Sequence, residues 1–167
     1  SKMGQTIRKK KTLETNVYET SLERMRYLFD TFDKVVVSFS GGKDSTAVLN
    51  IALQVAIEKN KLPLEVIYAD EEAVHPPTIE YVERIAANPN INFKWYCLEW
   101  KHRNACSNTD PFWYCWDSDK KELWVRDMPT QAITTHKKFV KGMTFVDFFE
   151  RLYEKSEGQV VQLTGIR

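Results

Sequence analysis

Along this chain the apolar positions change rhythm several times, and each change marks an element. Tyr18, Leu22, Met25, Phe29 and Phe32 recur at helical spacing, and Asn16 with Glu19 three residues later resembles a capping box. The pattern predicts a helix from about 16 to 31. Val35, Val36, Val37 and Phe39 form a β-branched run without polar alternation, as expected of a strand buried on both faces. Val48, Ile51, Ala52 and Val55 then follow a helical period that ends near Asn60. Leu64–Asp70 reads as a second strand. Pro76 and Pro77 suit the first turn of a helix carrying Ile79, Val82 and Ala86 on one face, and Ile91–Glu99 reads as a third strand.

Residues 100–143 fit neither period, and only the run KKELWVRDM hints at helix. So long an irregular stretch marks a functional loop or a substrate-facing insert. Thr144 and Asp147 open a last helix with Phe145, Phe148, Phe149 and Leu152, and Val160–Thr164 reads as a fourth strand. Strands alternating with helices imply right-handed crossovers. The fold class is therefore α/β, a doubly wound, mostly parallel sheet with helices on both faces, Rossmann-like.

Charge refines the picture. The formal net charge of the 167 residues is +1, but Lys2, Arg8, Lys9, Lys10 and Lys11 hold five of the 24 cations. The rest carries 19 cations against 23 acids. Residues 1–14 read as a basic, flexible N-terminal arm, and 15–167 as the α/β domain. A neutral-to-acidic body does not indicate a nucleic-acid-binding fold, although the arm could touch an acidic partner or nucleic acid. The three cysteines are too few for a secreted disulfide framework, and no apolar run reaches membrane-spanning length. These features point to a soluble cytoplasmic protein that does not enter a membrane.

The most specific signal is VVVSFSGGKDSTAVL, Val35–Leu49. Gly41 and Gly42 permit a tight turn with inward-pointing N–H groups at the start of a helix, a nest for an anion. Ser38, Ser40 and Ser45 add hydroxyls, and Lys43 adds a mobile charge. Asp44 suits either a Mg²⁺ ion bridging phosphate oxygens or a helix cap. The stretch is neither a Walker A loop, because Asp44 follows Gly42-Lys43, nor a G-x-G-x-x-G fingerprint, because the glycines are adjacent.

SFSGGKDST resembles the PP-loop of the adenine-nucleotide α-hydrolase superfamily, and YADEEAVHPPTIEYVERI with the terminal GIR resembles its phosphoadenosine phosphosulfate (PAPS) reductase branch. The resemblance implies ATP or a related adenine nucleotide, with Ser40, Gly41, Gly42, Lys43, Asp44 and Ser45 on its phosphates. Ser38, Phe39, Tyr68, Ala69 and Asp70 would lie along the nucleotide, and Arg167 would contact a phosphate or sulfate. Lys43, Asp44 and Arg167 are the candidate catalytic residues, and Asp44 the candidate Mg²⁺ ligand. The implied chemistry is cleavage of ATP or a sulfonucleotide at the α-phosphate or sulfo end. The alternative is a non-catalytic nucleotide-sensing module acting with a protein partner. HRNACSNTDPFWYCW and LTGIR are further similar to a group of PAPS-reductase-domain proteins. Some of these are phage- or island-encoded regulators partnered with a ParB-like protein, among them immunoglobulin-binding regulator A. The Glu-Cys-Gly-Leu-His tail of PAPS reductases does not occur in these residues, and the chain closes at Arg167 as a longer protein cut there would.

Three other groups carry candidate chemistry. Cys97, His102, Cys106 and Cys115 have no tight Cys pair, so zinc or an iron–sulfur cluster is not expected on them. Trp95, Trp100, Phe112, Trp113, Tyr114, Trp116 and Trp124 could stack on a base, with core and lid packing as the plainer role. Glu71, Glu72 and His75 could supply a general base or a metal ligand at the sheet's carboxyl edge.

Overall fold

The computed structural model describes the backbone of residues 2–165 and the side chains of residues 16–165. Six strands and four α-helices follow the expected alternation: α1 (Lys2–Thr31), β1 (Lys34–Phe39), α2 (Lys43–Glu58), β2 (Leu64–Ala69), α3 (Pro76–Ala86), β3 (Ile91–Tyr96), β4 (Lys101–Arg103), β5 (Phe112–Tyr114), α4 (Phe145–Leu152) and β6 (Val160–Thr164). The central sheet has the order β3-β2-β1-β6, and its neighbours all run parallel. Val36 and Val37 are fully buried at its centre, as their unbroken β-branched run requires.

Two differences from the sequence pattern stand out. Helix α1 begins at Lys2 rather than near Asn16, because Arg, Lys, Leu and Glu ahead of Asn16 are good helix formers and let the helix run through the apparent cap. The insert contains a short antiparallel hairpin, β4–β5, and only the first four residues of its KKELWVRDM run are helical, in a 3₁₀ turn over Ser118–Leu123. At α4 the expected cap forms, with Asp147 N donating to Thr144 Oγ1 at 3.2 Å.

Helix α1 packs on α2 through Leu22, Met25 and Phe29, and is tied there by Arg26 on Glu58 and Lys59 on Asp30. On the opposite face, α4 lays Phe148 and Phe149 against Tyr96 of β3 and Trp100. Gln162 of β6 donates to the carbonyl of Phe149 at 2.6 Å. Helices thus cover both faces.

The chain steps from β1 outward to β3 and then returns to place β6 on the other side of β1. Such a reversal leaves a crevice beyond the carboxyl ends of the two strands flanking it, here β1 and β6. The glycine loop lies at that point.

Candidate functional site

The loop between β1 and α2 is shaped by side chains that bond inward. Ser45 is buried, and its hydroxyl donates to Gly42 O at 3.1 Å, accepts from Ser40 N at 3.2 Å and meets Ser40 Oγ at 2.9 Å. Gly42 N donates to Ser40 Oγ at 3.3 Å, and Thr46 Oγ1 donates to Gly42 O at 2.8 Å. Ser40 and Ser45 therefore hold the turn rigid. Gly41 sits at φ +80°, with Thr78 Cγ2 only 2.7 Å from where a Cβ would stand, so this residue must lack a side chain. Gly42 opens α2 in extended conformation without a side-chain cap. The first turn of a helix leaves its N–H groups without intrahelical acceptors and carries partial positive charge.

Gly165 completes this corner. A Cβ there would lie 2.6 Å from Asp44 C and 2.8 Å from Ser45 Cα, and against Ser45 N. The exit of β6 thus rests directly on the backbone of the first turn of α2, an approach only glycine allows. Ser40, Gly42, Lys43, Asp44, Ser45 and Gly165 line a cavity of about 230 Å³.

A second cavity, of about 350 Å³, adjoins it through Ser40 and runs along the ends of β1 and β2. Ser38, Phe39, Tyr68, Ala69, Ala73 and Val74 line it, with Glu71 and His75 at its polar side. Phe145 and Phe149 close it from α4. The apolar wall suits a flat ring, and the smaller cavity beside it suits anionic groups at a helix start. Burial, and then the Asp70 charge, push the Tyr68 hydroxyl well above the usual phenol range, so it stays protonated and can donate.

Ser38, Phe39, Ser40, Tyr68 and Ala69 are thus brought to one cavity, and Gly42, Lys43, Asp44 and Ser45 to the adjoining one, with Gly41 forming the turn between them. Arg167 lies outside the described residues. Asp70 takes a different place. It is fully buried, and Trp95 Nε1 donates to its Oδ2 at 2.8 Å. Glu72 N donates to its Oδ1 at 2.9 Å, and Arg126 Nη2 pairs with the same oxygen. Its carbonyl accepts the indole N–H groups of Trp100 (3.1 Å) and Trp116 (2.9 Å). Asp70 lines neither of these two cavities; its bonds clamp the insert onto the end of β2.

Glu72 belongs to the same clamp. It is buried at φ +65°, and its carboxylate accepts from Trp116 N (2.7 Å) and Val125 N (3.2 Å). Phe145 and Phe149 had no signal of a site role in local sequence, because they act from α4, remote from the loop. Val74 and Gly165 lie in the YADEEAVHPP and GIR stretches, but nothing in those residues marks their own contacts. Among the described residues no group of three or more His, Cys, Asp or Glu side chains is placed to hold a metal ion. Cys97 and Cys115 are buried, Cys106 is exposed, and His102 turns to Glu71, with Nε2 3.4 Å from Oε2. Burial pushes the Cys97 and Cys115 thiols far above the usual range. No helix among the described residues is long and apolar enough to cross a membrane.

The family model for the phosphoadenosine phosphosulfate reductase domain matches residues 34–121, from β1 into the 3₁₀ turn. The chain is also similar to the uncharacterized protein YbdN of Escherichia coli (strain K12), at 33% identity over 163 residues. That match covers 93% of this chain but 39% of the relative, so the chain spans about two fifths of the length of the protein it matches.

Proposed function

Because the chain belongs to the phosphoadenosine phosphosulfate reductase domain family, a PP-loop nucleotide-binding fold, we propose that it binds an adenine nucleotide and promotes cleavage at its α-phosphate or sulfo end. The observation that carries this reading is the pair of cavities meeting at Ser40. One has an apolar wall that suits a flat ring, and the other is small and set on a helix start. The adenine lies between Phe39, Tyr68, Val74 and Phe149, and the phosphates lie over Gly42, Lys43 and Ser45. Lys43 and the N–H groups of the first turn of α2 offset the charge that grows as a bond to phosphorus breaks.

Attack at the α-phosphorus by a substrate oxygen forms one P–O bond and breaks the bond to the β-phosphate, so pyrophosphate departs and an adenylyl group is transferred. The loop orients and neutralises and contributes no covalent step. Asp44, a single carboxylate in the phosphate cavity, fits the sparse protein ligation that Mg²⁺ accepts when phosphate oxygens supply the rest. Held there by Asp44, the ion would offset the negative charge of the phosphates. Cys97 and Cys115 are buried and held protonated, which favours transfer at phosphorus over thiol attack on a sulfonucleotide by either of them.

Incubation with α-labelled ATP and Mg²⁺, and in parallel with a labelled sulfonucleotide, tests the reading. AMP or an adenylylated acceptor with pyrophosphate supports it. Nucleotide binding without turnover of either substrate, with acceptors supplied, rejects catalysis in favour of a sensing module acting with a protein partner. Absence of nucleotide binding rejects the site.

A further inference from the structure

The insert holds a third cavity, of about 410 Å³, that the nucleotide reading does not use. It lies beyond the carboxyl end of β2, where Glu72 lines it while Glu71, Ala73, Val74 and His75 line the 350 Å³ cavity. Phe112, Trp113 and Tyr114 of β5 and Trp124 after the 3₁₀ turn supply its aromatic wall, and Asn104, Asp110 and Lys120 stand among its polar residues. The two other carboxylates on the lining are already engaged. Glu72 accepts main-chain N–H groups, and Asp117 pairs with Lys141 at 3.0 Å.

The aromatic wall is unusually accessible. Phe112 is 52% exposed and Tyr114 41%, although both belong to a strand pair that could have buried them. Lysines lie against these rings without lining the cavity: Lys101 Nζ is 4.1 Å from the Phe112 centroid and Lys121 Nζ 5.9 Å from that of Trp124. Aromatic faces that bases can stack on, flanked by cations suited to phosphates, are the elements from which sequence-tolerant recognition of unpaired bases is built. Asp110 and Asn104 add an acceptor and a donor for a base edge. The volume falls in the range of pockets that enclose one small ring system with its substituents.

We propose that this cavity is a second base-binding site, which stacks a nucleobase on Trp124 and on Phe112 and Tyr114, which share one face of β5, with the attached phosphate held by Lys101, Lys120 and Lys121. The clamp through Glu72 and the Glu71–His102 pair, with His102 packed tilted on Trp113 at 5.6 Å, joins its wall to the wall of the 350 Å³ cavity. The base-binding claim stands independently of the nucleotide reading.

Tryptophan-emission titrations with thymidine monophosphate and with a single-stranded oligothymidylate of DNA and of RNA type test it. Saturable quenching is expected, weakened about tenfold in Trp124→Leu, the loss that removal of one stacking ring causes. Phe112→Ser, at an exposed position outside the core, serves as the variant whose folding is safe, and it should weaken binding in the same direction, followed by the remaining tryptophan signal. Lys43→Ala should bind these probes as the unmodified protein does. Equal affinity for monophosphate and oligomer identifies a free nucleotide as the occupant, and much tighter oligomer binding identifies a base within a strand; both support the site. Three results overturn it: no saturable quenching by any probe, undiminished binding of an abasic oligomer, or binding lost in Lys43→Ala but kept in Trp124→Leu and Phe112→Ser.

Discussion

Gly41 and Gly42 stand side by side in the loop and are not equivalent. Gly41 is held at φ +80° with Thr78 Cγ2 against its open side, whereas a Cβ on Gly42 would meet only Ser40 Oγ at 3.4 Å. A non-glycine residue in the left-handed region costs about 1–3 kcal/mol, and the contact with Thr78 adds to it. Gly41→Ala should therefore lower the stability read from urea unfolding by at least about 1–3 kcal/mol and abolish nucleotide binding. Gly42→Ala should cost clearly less in the same unfolding assay. Equal losses at both positions would mean that the loop is not strained where its backbone says it is. Gly165 belongs with Gly41, although the terminal GIR implied a contact for Arg167 and none for the glycine itself. Its partners are backbone atoms of Asp44 and Ser45, which cannot rotate away.

At the scale of elements, α4 and the residues before it form the aromatic layer on one face of the sheet. His136 packs edge-on to Phe148 and Tyr96, with ring centroids at 5.2 and 6.3 Å, and its Nδ1 accepts from Lys138 N at 3.1 Å. Burial first, then Lys138, Lys137 and Lys94, lower its pKa below the ordinary 6.5. The unfolded chain then binds a proton more readily than the folded one. The stability from neutral His136 is full above 6.5 and is lost as the pH falls below that value toward the folded pKa, where the loss levels off. Unfolding midpoints measured from about pH 7.5 down to about pH 5 should fall for the unmodified protein and fall less steeply for His136→Gln. Parallel curves for the two proteins would place the acid sensitivity elsewhere.

The same layer shows what local sequence conveys and what it does not. The four strands of the sheet, α2, α3 and the Thr144 cap were readable because period and cap chemistry are local properties. The hairpin β4–β5 was not readable, since three-residue strands carry no period and this pair is held by tertiary contacts. Asp70 reads in sequence as a ligand-facing carboxylate at a strand end. Only the fold reveals that indoles from Trp95, Trp100 and Trp116, separated from it by 25, 30 and 46 residues, converge on it with Arg126. The loop itself was legible because its glycines, lysine and serines are contiguous. The larger of the two site cavities was legible only in part, since α4 supplies Phe145 and Phe149 to its lining.

Across the whole molecule, the candidate site joins parts of the chain that are distant in sequence. β6 reaches its place beside β1 only after the insert and α4, and Asp33 anchors its start by accepting from Gln159 N at 2.6 Å. Its exit then rests on the first turn of α2 through Gly165. An anion in the smaller cavity would bear on the loop, the helix start and the β6 exit at once, while the ring in the adjoining cavity would bear on β2 and α4. Ligand that binds only the folded state stabilises it in proportion to the logarithm of its excess, about 2.7 kcal/mol at a hundredfold excess over Kd. Saturating ATP with Mg²⁺ should therefore raise the unfolding midpoint and slow amide exchange together at 41–46 and at 164–165, two segments that share no sequence neighbourhood. Residues 17–27 of α1, on the far side of α2, should show only the smaller, global part of that protection. Slowing confined to 41–46 would separate the glycine loop from β6 as a binding unit, and the role given to the Gly165 contact would then fail.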